Sequence, residues 1–262
     1  MGITVLHEPE SSPVADIVFV HGLGGTSRQT WSKNKDPQLF WPLEWLPFEP
    51  TLSGARICTF GYNAHFSSTS DASTILNISD FAKDLLYQLR FARGAEEKRL
   101  DVGTAPLIFV AHSMGGLVVK KAVILGQNDT HYKDIVQSIT AIVFLSTPHR
   151  GTNLADILNK ILSACLFSLS PKQYIAELKN NSPTIQEINE QFRNLVDKIK
   201  IVSFFETQAT SVGPTSMLIL HRDSSTLGYP GEISKPLNAN HHGMSSIRSS
   251  CASASAGVQP SP

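Results

Sequence analysis

Short unbroken apolar runs alternate along this chain with stretches in which apolar residues recur every three or four positions. The first kind, bounded by glycine, proline or polar clusters, reads as strands buried on both faces; the second reads as helices packed on one side. Residues 15–20 (Ala-Asp-Ile-Val-Phe-Val) form the first such run, and 55–60 the next, ended by Gly61. Phe81, Leu85, Leu86, Leu89 and Ala92 have helical spacing, predicting a helix over 81–93 with Ser79 or Asp80 as its cap. A strand through Leu107-Ile108-Phe109-Val110 leads into a helix over 115–125, and 139–145 is a further strand closed by Ser146-Thr147-Pro148-His149-Arg150-Gly151. Runs at 199–205 and 217–220 complete the series. Alternating strands and helices predict an α/β fold, a mostly parallel central sheet with helices on both faces.

Between 151 and 198 lies a mainly helical insertion. Ile157, Leu158, Ile161, Leu162, Cys165, Leu166 and Leu169 make an apolar stripe, either a core-facing helix or a lid and acyl-binding wall over the strand ends, where sites form. Residues 184–195 read as a second, more polar helix. From Ser245 the chain is small and polar, so 1–244 is expected to be one domain and 245–262 a disordered tail.

Composition narrows the function classes. A chain of 262 residues suits one sizeable α/β domain. Lys+Arg and Asp+Glu balance at 22 each, so no basic field points to nucleic acid. Cys58, Cys165 and Cys251 are odd in number and widely spaced, which argues against a disulfide framework and a zinc site; no metal or cofactor is expected. The N-terminus lacks the pattern of a secretory signal, and Leu6 stands where a myristoylation motif needs Ser or Thr. Lys120-Lys121 interrupts the one run approaching membrane-spanning length. The expectation is an intracellular, cytoplasmic protein of unassigned oligomeric state.

The chemistry gathers at Ala111-His112-Ser113-Met114-Gly115-Gly116, where a buried strand meets a helix through a turn of small residues, the layout of a nucleophile elbow. A serine hydroxyl needs a base and oxyanion donors to react. The sharp turn lifts Ser113 above the sheet edge and aims the Met114 N–H at the same space. Val20-His21-Gly22-Leu23-Gly24-Gly25 follows the first buried strand, and the Leu23 N–H is the second candidate donor. That loop lacks the Lys-Ser/Thr of a phosphate-binding P-loop. With the order serine, acid, histidine, Glu206 at the end of the 199–205 strand is the favoured acid and Asp223 its rival. His241 and His242 lie in the loop 237–244, and spacing alone separates them poorly. No third ligand of suitable spacing makes the pair a metal site.

The chain resembles the serine esterase (lipase-like) branch of the α/β-hydrolase superfamily, in the form found at the N-termini of fungal NLR-like proteins. It is similar also to the hydrolase domain of mitochondrial serine-active-site-containing lipid-remodelling proteins. The resemblance rests on residues 17–25, Trp41-Pro42 to Leu46-Pro47, Phe60-Gly61-Tyr62 and the elbow, and continues through 144–151, 204–207 and 227–232. The family closes on Asp-His, a variable residue, Gly-Met and Cys, which Asn240-His241-His242-Gly243-Met244-Ser245 matches with His241 as catalytic histidine and Asn240 and Ser245 as departures. Beyond Met244 the match stops, and the tail is unlike the family's continuation into an NTPase module. The resemblance implies an α/β-hydrolase fold with a helical lid and hydrolysis of a lipid or other hydrophobic ester by Ser113, His241 and Glu206. It also implies peripheral placement at a mitochondrial or endoplasmic reticulum membrane. The competing reading is a hydrolase-fold signalling or scaffold domain that has lost turnover; a third is membrane attachment through the 157–169 stripe.

Overall fold

In a computed structural model, residues 1–64, 77–94, 97–150, 157, 160–161, 185–212 and 214–246 are described. Their strands are β1 (Gly2–His7), β2 (Ala15–Val20), β3 (Ala55–Gly61), β4 (Leu107–His112), β5 (Ile139–Leu145), β6 (Lys200–Glu206), β7 (Thr210–Val212), β8 (Thr215–Met217) and β9 (Ile233–Leu237). The helices are α1 (Trp41–Glu44), α2 (Ile78–Phe91), α3 (Met114–Gln127), α4 (Lys133–Gln137), α5 (Ile185–Arg193) and α6 (Arg222–Ser225). Seven strands form one sheet in the order β1-β3-β2-β4-β5-β6-β9. All pairings are parallel except β1 with β3. This is the mostly parallel sheet that the strand–helix alternation predicts.

Each inner strand serves two cores because successive side chains point to opposite faces. Val18 and Val20 of β2, Cys58 and Phe60 of β3, and Phe109 and Ala111 of β4 join α2, α3 and α5 on one face. Ile17, Phe19 and Ile57 meet Trp31, Phe40, Trp41 and Met244 on the other. The Phe19 ring sits edge-on to both Trp31 and Trp41, with centroids 5.0 and 5.1 Å away. Double-sided burial is why these strands lack the apolar-polar alternation of half-exposed ones.

Four differences from the sequence reading have physical causes. α2 begins three residues earlier than predicted, because Asn77 rather than Ser79 or Asp80 is its cap. Its Oδ1 accepts from Ser79 N at 2.8 Å, while Asp80 Oδ2 accepts from Asn77 N, a capping box. The run 217–220 is not a sheet strand: Thr215–Met217 pairs with β7 in a small hairpin, and Ile219 and Leu220 give their N–H groups to Glu206. The last sheet strand is instead β9, Ile-Ser-Lys-Pro-Leu, exposed over most of its length at the sheet edge. An edge strand tolerates proline and needs no apolar run, so the pattern there carried no signal. β1, at the opposite edge, is short and mostly half-buried, and the sequence reading has no strand there.

Of the insertion, the predicted helix at 184–195 exists as α5, burying Ile185, Ile188 and Phe192. Ile161 is buried in the main core and Ile157 packs against it. Leu158, Leu162, Cys165, Leu166 and Leu169 lie outside the described residues, as does the tail from 247 onwards. Among the described residues no helix is long and apolar enough to cross a membrane.

Candidate active site

Ser113 caps the N-terminus of α3 directly after β4 and adopts φ 52°, ψ −124°. An L residue rarely occupies this region, and holding it there costs roughly 1–3 kcal/mol. Close packing enforces it. A Cβ on Gly115 would lie 2.4 Å from the backbone oxygens of both Val20 and His21, so α3 starts hard against the end of β2. A Cβ on Gly116 would fall 2.2 Å from Thr147 Oγ1, and one on Gly22 would fall 2.8 Å from Ser113 Cβ. The glycine-rich loop after β2 therefore touches the serine. Its base is braced by Tyr62, whose hydroxyl donates to His21 O at 2.7 Å and whose ring stacks on the His21 imidazole.

A line of hydrogen bonds runs from this turn to two other parts of the chain. His241 Nε2 lies 3.1 Å from Ser113 Oγ, and His241 Nδ1 lies 2.7 Å from Glu206 Oε2. A carboxylate only accepts, so Nδ1–H donates to Glu206; in the neutral ring Nε2 then accepts from the serine hydroxyl. Ser113 and His241 are each 1% exposed and Glu206 3%. The other Glu206 oxygen accepts from Ile219 N at 2.7 Å and Leu220 N at 2.9 Å. Burial pushes the Glu206 carboxyl up, but the His241 hydrogen bond and charge and these two backbone donors outweigh it, leaving the group below its ordinary value. Glu206 is thus ionised beside the imidazole.

Asp223, the rival acid, sits exposed on α6, and His242 is an exposed neighbour of the buried His241, its ring centroid 6.2 Å from that of His241. Met114 opens α3, so its N–H belongs to the first turn, where helix donors lack intrahelical acceptors. Leu23 is buried in the loop that carries Gly22.

Several residues that hold the histidine carried little sequence signal. His112 Nε2–H donates to His241 O at 3.0 Å. Burial, with the nearby His241 charge adding to it, drives the His112 imidazole well below its ordinary value, so it is a neutral donor. Thr210 Oγ1 accepts from His241 N at 3.1 Å, and Trp41 Nε1 donates to Ser245 O at 2.7 Å. Met244 is wholly buried among Trp41 and its neighbours. The departures at 240 and 245 fit this loop: Asn240 Oδ1 caps the turn by accepting from Gly243 N at 2.8 Å, as an aspartate oxygen would, and Ser245 is held through its backbone oxygen and through its hydroxyl, which donates to His242 O at 3.2 Å. Among the described residues no group of three or more His, Cys, Asp or Glu is placed to hold a metal ion.

Known proteins share this architecture. The PGAP1-like alpha/beta domain family matches residues 13–206. Protein SERAC1 of Danio rerio is 31% identical over 252 residues, which cover 87% of this chain and 36% of that protein. Protein SERAC1 of Homo sapiens is 29% identical over 265 residues, covering 92% and 38%. The chain thus spans little over a third of the length of these curated relatives. Among solved structures, a carboxylesterase from Nitrososphaera gargenis superposes with a TM-score of 0.54 at 13% identity, covering 93% of this chain and 88% of the other. A lipase-esterase related protein from Clostridium acetobutylicum gives 0.50 at 13% identity, covering 93% and 94%. At such identities the likeness is one of fold.

Proposed function

The chain belongs to the PGAP1-like alpha/beta domain family, and from that premise we propose that it is a serine hydrolase of carboxylic esters working through Ser113, His241 and Glu206. The observation that carries this reading is the His241 ring, hydrogen-bonded at one nitrogen to a serine on a strained turn and at the other to a buried carboxylate. Ser113 Oγ attacks the ester carbonyl while His241 Nε2 takes its proton. Glu206 steadies the imidazolium so formed. The N–H groups of Met114 and Leu23 receive the tetrahedral oxyanion, a contribution of about 10²–10³ in rate per donor. His241 then returns the proton to the leaving alcohol, and water activated by the same imidazole releases the acid.

The substrate we infer is an ester with a hydrophobic acyl part, the class named for the lipase-esterase related neighbour. A lipid is the natural source of such an acyl group. A fluorophosphonate probe tests the reading: it should label the native chain and leave a Ser113→Ala variant unlabelled, with hydrolysis of short p-nitrophenyl esters lost in parallel. Equal labelling of both proteins, or ester turnover that survives the substitution, would falsify it.

A further inference from the structure

Two motifs stand apart from the serine relay, the Thr147-Pro148-His149-Arg150 turn after β5 and the loop Leu227-Gly228-Tyr229-Pro230-Gly231-Glu232. They are built into each other. His149 N donates to Ser224 O at 2.6 Å, and Arg150 Nη2 donates to Leu227 O at 2.8 Å. Gly228 sits at φ 70°, and a Cβ there would fall 2.2 Å from Arg150 Nη2, so the guanidinium lies directly against the glycine. Glu232 accepts from the N–H groups of Leu227 and Gly228, and the Tyr229 hydroxyl donates to Asn189 O on α5. Between these motifs and α5 lies a cavity of about 360 Å³.

Its lining is unusual in charge and in hydrogen bonding. Arg150 and Arg193 stand exposed at the rim, and neither has a carboxylate within ion-pair distance among the described residues. Arg150 gives one N–H to Leu227 O and has four more to offer. Arg193 lies over the Tyr229 ring, 5.7 Å from its centroid. Glu190 also lines the cavity, but its carboxylate accepts from Gln186 one turn back. On the floor is His149, fully buried, with Nε2 lacking any partner. Its other nitrogen is occupied: Lys120 Nζ, itself fully buried, approaches Nδ1 at 2.5 Å and donates to Asn189 Oδ1 at 2.6 Å. Asn189 Oδ1 only accepts, so Nζ donates there, and we assign the proton of its contact with Nδ1 to Nζ as well. Burial, with the Arg150 charge adding to it, keeps the His149 ring neutral, and with that assignment its single N–H is on Nε2. A buried N–H without an acceptor costs about 1–3 kcal/mol, and a ligand oxygen removes that cost.

We propose that this cavity binds a phosphate monoester, its phosphoryl oxygens held by Arg150 and Arg193 at the rim and by the Nε2–H of His149 on the floor. Forked guanidiniums suit phosphoryl oxygens, and the volume leaves room for an organic substituent. The site is separate from the serine relay, so it stands or falls independently of ester hydrolysis. The ester of phosphate is either a lipid headgroup or a soluble metabolite, and the two sources share this chemistry.

Calorimetric titration of the full chain with phenyl phosphate and inorganic phosphate, and of its Ser113→Ala variant with dihexanoyl phosphatidic acid so that ester hydrolysis adds no heat, tests it, with phenol as the neutral control. Expected is saturable one-to-one binding of a phosphate ester, none of phenol, and a loss of about tenfold or more in affinity in Arg150→Gln or Arg193→Gln. The His149 Nε2 proton should shift in nitrogen-correlated spectra. Ser113→Ala should bind as the native chain does. Tighter binding of the phosphatidic acid than of phenyl phosphate assigns the lipid source, and the reverse the soluble one. Arg193 is exposed and donates no hydrogen bond that holds the fold together, so Arg193→Gln should keep the native melting temperature and is the deciding variant; Arg150→Gln also loses its bond to Leu227 O and is read beside its own melting temperature. Absence of saturable binding, or affinities unchanged in both arginine variants, overturns the proposal.

Discussion

At the scale of single residues, the relay depends on an ionised carboxylate facing one nitrogen of an imidazole, and charge and shape can be separated there. Glu206→Gln keeps an oxygen for the Ile219 and Leu220 N–H groups but offers His241 Nδ1 an amide without charge. The imidazolium then lacks its counterion and the wrong tautomer gains support. We expect kcat on a p-nitrophenyl ester to fall by about 10²–10⁴ with KM little changed, and steady-state kinetics checks it. Asn240→Asp is the opposite kind of test. Either residue presents an oxygen to Gly243 N, so stability measured by urea unfolding should stay within about 0.5 kcal/mol of native. Much of this site was legible in the sequence because its side chains follow recognisable strands: Ser113 after β4, Glu206 at the end of β6. The supports were not. His112, Thr210 and Trp41 act on the backbone of the 241–245 loop from two strands and a helix distant in sequence. No spacing rule connects such partners.

At the scale of elements, the β4–α3 turn is defined by how closely α3 approaches β2. Gly115→Ala sets a methyl group 2.4 Å from two backbone oxygens, which can yield only by parting the helix from the strand. The expected cost is about 1–3 kcal/mol or more, read as a lower urea midpoint, together with loss of ester turnover. Strand legibility followed burial. β2, β3, β4, β5 and β6 are inner strands covered on both faces, and each announces itself as an apolar run. β1 and β9 are edges, and β9 presents Ser234, Lys235 and Pro236 to solvent. The 217–220 segment misled in the reverse sense. Ile219 and Leu220 are apolar because they are buried, yet their N–H groups hold an acid instead of joining a ladder. Hydrophobicity reports burial; it does not report which acceptor a backbone group finds.

At the scale of the whole molecule, folding buries three bases, Lys120, His112 and His149, with no carboxylate among their hydrogen-bond partners, and this ties global stability to pH. Lys120 lies in α3 between the Phe144 and Phe192 rings, with His149 and Asn189 as its polar partners. Burial drives its amine well below the ordinary lysine value, against a weaker opposing pull from Glu232. The unfolded chain therefore keeps that proton to a higher pH than the folded chain does. Stability is full above the unfolded value of 10.5 and is lost as pH falls towards the depressed folded one. His112 and His149 act in the same sense below 6.5. Buried Cys58, pushed up to about 12 from 9.0, acts oppositely, but only once the unfolded thiol ionises. The window from pH 7 to about 8.5 thus isolates the lysine. Lys120→Met keeps the stem and removes the titration. Urea unfolding across that window should show the native chain gaining on the variant by up to about 1.4 kcal/mol per pH unit. Two parallel stability curves would mean that Lys120 keeps its proton in the fold, despite having no carboxylate among its hydrogen-bond partners.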